Sequence, residues 1–161
     1  MLQFSTLLVE AGFDPEKVFL VRHQDKRSRI SLYHAWKSRR EDFEMYQQAQ
    51  KWQNRFPVGF SLAVFVVGPA RETLFVGMYD VLAVSERNGS FPDPLIGQSP
   101  DEHQAWHELK HSDRMQKYEE KLVIEWGAGY RAWRQRAERQ NKKFWKSDHS
   151  PTSLSEQESN R

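Results

Sequence analysis

Apolar and polar positions along this chain switch between two periods, and each switch marks an element. Phe4 to Ala11 has helical spacing, with Ser5 or Thr6 near its N-cap and Gly12 as its stop. Asp14-Pro15 turns the chain into Val18 to Val21, an unbroken apolar run that reads as a buried strand, with Arg22 and His23 where it emerges. Ser31 is placed to cap a helix running to about Gln50. Leu32, Trp36, Phe43, Tyr46 and Gln50 fall on one side of it, and the polar turn from Trp36 to Phe43 either faces solvent or breaks it in two. After a turn at 54–59, Phe60 to Val67 and Thr73 to Ser85 read as two strands joined through Gly68-Pro69-Ala70. The second of them holds Gly77 in its middle. Glycine weakens a strand, so one kept there marks a bulge, a bend or a close approach. Phe75 and Tyr79, two residues to either side of it, are expected on one face.

The rest of the chain is less regular. Arg87 to Asp101, with Gly89, Pro92, Pro94, Gly97 and Pro100, predicts a loop. Asp101 to about Tyr118 shows weak helical spacing through Trp106, Leu109 and Met115. Lys121 to Trp126 is a clear strand stopped by Gly127-Ala128-Gly129, and the composition of Tyr130 to Gln140 suits a short helix. Residues 147–161 are polar and rich in serine, as a disordered tail would be. The pattern predicts an α+β fold: one recognition domain over residues 1–146 with a small curved sheet or partly open β-barrel and flanking helices, then the tail.

Composition narrows the function. The chain has 161 residues, of which 38% are apolar and 13% aromatic, so a few large rings must fill much of the core. It has no cysteine, which excludes disulfides and thiolate metal sites and fits a reducing cytoplasm. No apolar run reaches the roughly 18 residues of a membrane span, and the first residues lack a signal pattern. A cytoplasmic protein without membrane contact is therefore expected. Net charge is only +2, but it is unevenly spread. Lys17, Arg22, Lys26, Arg27, Arg29, Lys37, Arg39 and Arg40 face a single acid, Asp25. Arg131, Arg134, Arg136, Arg139, Lys142, Lys143 and Lys146 face Glu138 alone. Both blocks are interleaved with aromatic residues, as on a surface that meets a polyanion.

Catalytic patterns are missing. No GxSxG elbow, P-loop or GxGxxG occurs, and His23 with Asp25 is too ordinary a pairing for a triad. His103, His107 and His111 would share a helix face, but the third lies about 12 Å from the first along it, beyond one ion's reach. No catalytic residue, metal or cofactor is expected. Recognition remains. Tyr46, Gln47 and Gln50 present a ring and two amides within about one turn, able to stack on bases and read their edges. Trp126 and Trp133 bracket the glycine turn as walls of a pocket, with Arg131 and Arg134 beside them for phosphates.

These stretches also resemble a known family. LVRH at 20–23, Tyr46-Gln47-Gln48, TLFVGMYDV at 73–81 and KLVIEWGAGYRAWRQRAERQNK at 121–142 match, in order and spacing, the region ahead of the nuclease in a group of bacterial GIY-YIG nuclease family proteins. The resemblance implies a DNA-recognition module coupled to a nuclease subunit or domain, in restriction of foreign or modified DNA. It also points to a PUA-like or EVE-type fold, which reads modified bases in a pocket on a curved barrel. Neither a GIY nor a YIG tripeptide occurs, so by resemblance the chain is the reader without the cutter. Phosphate contact would fall to Arg22, Arg27, Arg131 and Arg134, and base readout to Tyr46, Gln47, Gln50, Tyr79, Trp126 and Trp133, with His23 and Tyr130 beside them. The rival readings are an RNA-binding module of the same fold, a regulatory protein with an acidic partner, and an enzyme built on His23 or the His103/His107 pair.

Overall fold

The computed structural model describes residues 3–23, 30–50, 55–88, 95, 103–126, 134–136 and 144–146. Three helices, α1 (Phe4–Glu10), α2 (Leu32–Ser38) and α3 (Arg40–Gln48), flank a sheet. Its strands are β1 (Val18–His23), β2 (Ala49–Gln50), β3 (Ser61–Val67), β4 (Thr73–Asn88), β5 (His103–Ser112), β6 (Leu122–Ile124), β7 (Arg134–Arg136) and β8 (Phe144–Lys146). They run in the order β2-β5-β4-β3-β1-β7, while β6 pairs with both β4 and β8. The sheet is strongly curled, and the fold is α+β with a partly open barrel and flanking helices. No helix among the described residues is long and apolar enough to cross a membrane.

Each face of the sheet carries its own core. Val18 and Leu20 of β1 point with Ala63, Phe65, Phe75, Leu122 and Ile124 toward Phe4 and Leu8 of α1. Phe19 and Val21 point the other way, with Leu62, Val64 and Val76, toward Leu32, Trp36 and Phe43 of α2 and α3. Burial on both faces is why β1 reads as an unbroken apolar run. It extends two residues beyond Val21, so Arg22 and His23 lie within the strand, not past its end.

Several expectations need correction. The first helix is preceded by Gln3, which makes no side-chain cap, so neither Ser5 nor Thr6 caps it. Ser31 does cap α2, accepting from the His34 N–H at 3.0 Å. The long helix is two, broken at Arg39 (φ −138°, ψ 55°), and Gln50 belongs to β2. The segment after residue 102 is a strand from His103 to Ser112, and only Gln116–Tyr118 near its end forms a turn of 3-10 helix. Ala105 and His107 are buried while Glu108 and Lys110 are exposed, the period of two that the spacing of Trp106 and Leu109 conceals. On a strand, histidines four residues apart are about 13 Å apart. Residues 134–136 are also a strand, because pairing with the open edge of β1 outweighs local helix propensity. The predicted loop begins later than Arg87, since β4 runs to Asn88. Most of that loop and the tail at 147–161 lie outside the described residues.

Gly77 sits at a β-bulge. Val64 pairs with Gly77 but Phe65 pairs with Phe75, so β4 carries one extra residue, Val76, and φ at Gly77 is +146°. The extra residue reverses the alternation. Phe75 therefore faces α1 while Tyr79 faces α2 and α3, and the two do not share a face.

Candidate nucleic-acid interface

Several strand termini meet at one end of the sheet. His23, the last residue of β1, is opposite Val66, and β4 begins at Thr73, opposite Val67. Ile124, the last of β6, is opposite Thr73, and β7 begins with Arg134 opposite Val21. Residues 24–29 follow the first of these termini, and residues 127–133 join the last two. Topology thus attaches residues 24–29, with Lys26, Arg27 and Arg29, and the start of the second basic block, Arg131 and Arg134, to the same end.

Arg22 and Trp126 mark this end on the α1 face. Trp126 is 4% exposed and packs on Phe65 at 6.0 Å between ring centroids. The guanidinium of Arg22 lies over its ring, 5.3 Å from the centroid. Arg22 Nε is buried and has no hydrogen-bond acceptor among the described residues, and no carboxylate among them pairs with the group. Burial holds its pKa below the ordinary arginine value.

His23, one residue on, faces the other way. Its Nε2 is 3.3 Å from Gln47 Oε1, and its ring meets the edges of Phe43 and Tyr46 at 5.9 and 5.6 Å. Gln47 is buried, and Tyr46 is partly so. Tyr79 is 1% exposed and donates its hydroxyl proton to Glu44 Oε2 at 2.6 Å. Gln47, on the inner side of α3, and Tyr79, beneath it, are thus buried, and stacking or edge-reading by them requires α3 to lift. The backbones of Gln50 and Arg134 lie in β2 and β7. Arg27, Tyr130, Arg131 and Trp133 lie outside the described residues.

The first basic block is less available than its sequence implies. Lys37 pairs with Glu120 at 2.7 Å, and Arg39 pairs with Asp42 at 2.6 Å. Arg40 donates from Nε to the Trp36 carbonyl at 2.6 Å and lies over its ring. At the opposite end of the sheet, an open groove of about 360 Å³ is lined by Phe13, Asp14, Lys17, Phe60, Asp80 and Arg114. Its acids and bases balance, so it holds no charge bias toward a polyanion.

The sequence did not reveal a polar cluster around Gly77. His111 Nε2 is 2.6 Å from Glu119 Oε2, the His111 ring meets Tyr79 edge-on at 5.4 Å, and Tyr33 donates to Glu120 Oε1 at 2.5 Å. Glu119 and Glu120 are adjacent and take different partners. Glu120 has φ +67°, and its N–H donates to the Phe75 carbonyl at 2.9 Å. Only the unexplained glycine signalled this place in advance. No group of three or more potential ligands among the described residues is set to hold a metal.

The two histidines predict a stability optimum. The bond to Glu119 raises the His111 pKa above 6.5, so its contribution is complete below that pH and is lost as pH rises through the raised value. Burial pushes His23 down to about 4, against a bond to Gln47 that raises it. The unfolded chain therefore takes up a proton first, and stability falls between about pH 6.5 and 4. Urea unfolding across pH should show both limbs. His23→Gln should flatten the acid one and His111→Asn the alkaline one; unaltered profiles in both variants would refute these assignments.

No family model, no curated protein and no solved structure matches this chain.

Proposed function

We propose that this chain is a non-catalytic DNA-binding module that meets its ligand at the end of the sheet shared by β1, β6 and β7. One observation carries the reading: the partly buried Arg22 stands over Trp126 with no carboxylate among the described residues to neutralise it, where residues 24–29 and the start of the second basic block attach. A guanidinium removed from water without a counter-charge is costly, and a phosphate oxygen offsets that cost. Arg27, Arg131 and Arg134 supply further charge from the attached segments and the start of β7.

The biological setting rests on the family resemblance. In it, the module works in the cytoplasm with a nuclease subunit or domain, against foreign or modified DNA. Titration of plain duplex, modified duplex, single-stranded DNA and RNA, each over a range of salt, tests the reading. DNA affinity should fall with salt, at a log–log slope of about −0.9 for each duplex phosphate neutralised. Absence of DNA binding at low salt sinks the proposal. Tighter binding to RNA than to every DNA would reassign the polymer.

A further inference from the structure

We propose that the hairpin turn between β3 and β4, residues 68–72, is a second contact with the DNA backbone, made by Arg71. The inference rests on the DNA reading above and adds a residue to its interface. β3 ends at Val67 and β4 begins opposite it at Thr73, so the turn closes the same end of the sheet. Arg22 is level with Phe65, and His23, where β1 ends, is level with Val66. Arg71 therefore lies beyond Arg22 by two strand residues, about 7 Å, and by the turn itself. Phosphates of one DNA strand follow at about 3.4 Å along the axis, so a few of them span that distance.

Two features set Arg71 apart, and the first is its backbone. The turn closes through the Arg71 N–H to the Gly68 carbonyl at 2.9 Å and the Gly68 N–H to the Glu72 carbonyl at 2.8 Å. In such a hairpin loop the last position is left-handed, and glycine fits it best. Arg71 occupies it at φ +65°. Glu120 is the other non-glycine residue described at positive φ, and its carboxylate is engaged by Tyr33 and Lys37. Arg71 is exposed, and no carboxylate among the described residues pairs with it. Strain kept for a side chain that the fold does not engage points to a role outside the fold.

The second feature is how the turn sorts its charges. Glu72 folds back over Gly68, where a Cβ would collide with its carboxylate, and both of its oxygens are buried. The acid is withdrawn and the arginine is left in solvent. A carboxylate at the surface there would hold the guanidinium and repel a phosphate. Other unpaired cations are placed differently. Lys17 lines the groove at the opposite end, Lys110 is level with Asp80 toward that same end, and Lys117 and Lys121 flank Glu119 and Glu120.

Arg71→Gly separates the two roles, because it removes the charge while relieving the backbone. Anisotropy with two duplexes of unrelated sequence, over a range of salt, reads binding; urea unfolding reads folding. Affinity at low salt should fall about fivefold for both duplexes, and the log–log salt slope should become shallower by about 0.9. The urea midpoint should be unchanged or higher. Arg71→Lys keeps the charge and should retain most of the affinity and the full slope. Wild-type affinity and slope in Arg71→Gly overturn the inference while leaving DNA binding intact. A lowered midpoint also overturns it, since the arginine would then serve the fold. Loss on one duplex alone would make the contact one to bases and overturn the backbone assignment. If the wild-type protein binds neither duplex at low salt, the DNA reading fails and this one with it.

Discussion

Gly77→Val should remove about 3 kcal/mol or more of folding stability. The backbone at Gly77 has φ +146°, a conformation that β-branched residues do not adopt without strain. A Cβ there would also stand 3.3 Å from the His111 ring and 3.4 Å from Glu119 Oε2. Valine adds two methyl groups to that contact, so the His111–Glu119 pair must open or the bulge must move. Either change spreads, because Val76 and Tyr79 on the same stretch are part of the core under α2 and α3. Gly77→Ala shares the strain without the branching and should lose less. Urea unfolding of the three proteins provides the measurement. A valine variant with the wild-type midpoint would show that the bulge does not need its glycine.

Phe65→Ala should be comparably severe, at about 3–5 kcal/mol. Phe65 is fully buried and touches Phe4 of α1, Phe75 of β4 and Trp126 beyond β6. Its removal leaves a hole between the helix and the sheet, directly under the platform that holds Arg22. Stability and ligand binding should therefore fall together, in contrast to Arg22→Gln, which should affect binding far more than folding. Phe65→Leu, filling most of the hole, should recover more than half of the lost stability in urea unfolding. If alanine there costs under about 1 kcal/mol, the ring is not the keystone of this face.

How much of this was legible in the sequence depends on the range of the deciding interaction. The strands β1, β3, β4 and β6 and the Ser31 cap were readable, because apolar runs, a hairpin and a capping serine are local signals. The α+β class and the partly open barrel followed from them. Residues 103–112 and 134–136 were misread as helical because their conformation is set by the strands they join. Beside Val81, β5 takes the period of its partner; beside β1, Arg134–Arg136 completes an edge. The bulge was signalled by Gly77, but its consequence was not, since the sequence does not show that Val76 is the extra residue and that Phe75 and Tyr79 part company. The candidate site divides in the same way. Arg22 and Trp126, both candidates, stand together in the structure, a pairing the sequence did not show. Gln47 on the inner side of α3 and Tyr79 beneath it are buried, and their partners His23 and Glu44 are distant in sequence.

The pairing of β7 with β1 also shapes how the chain matures. β1 is made early, but its outer edge stays without a backbone partner until Arg134–Arg136 has been synthesised. β6 likewise waits for Phe144–Lys146. During that interval two unpaired edges, one of them the apolar run Val18–Val21, are open to strands of other nascent chains. Each edge is covered only after the strand that pairs with it, β7 or β8, has been made, so closure of the sheet is a late event in synthesis.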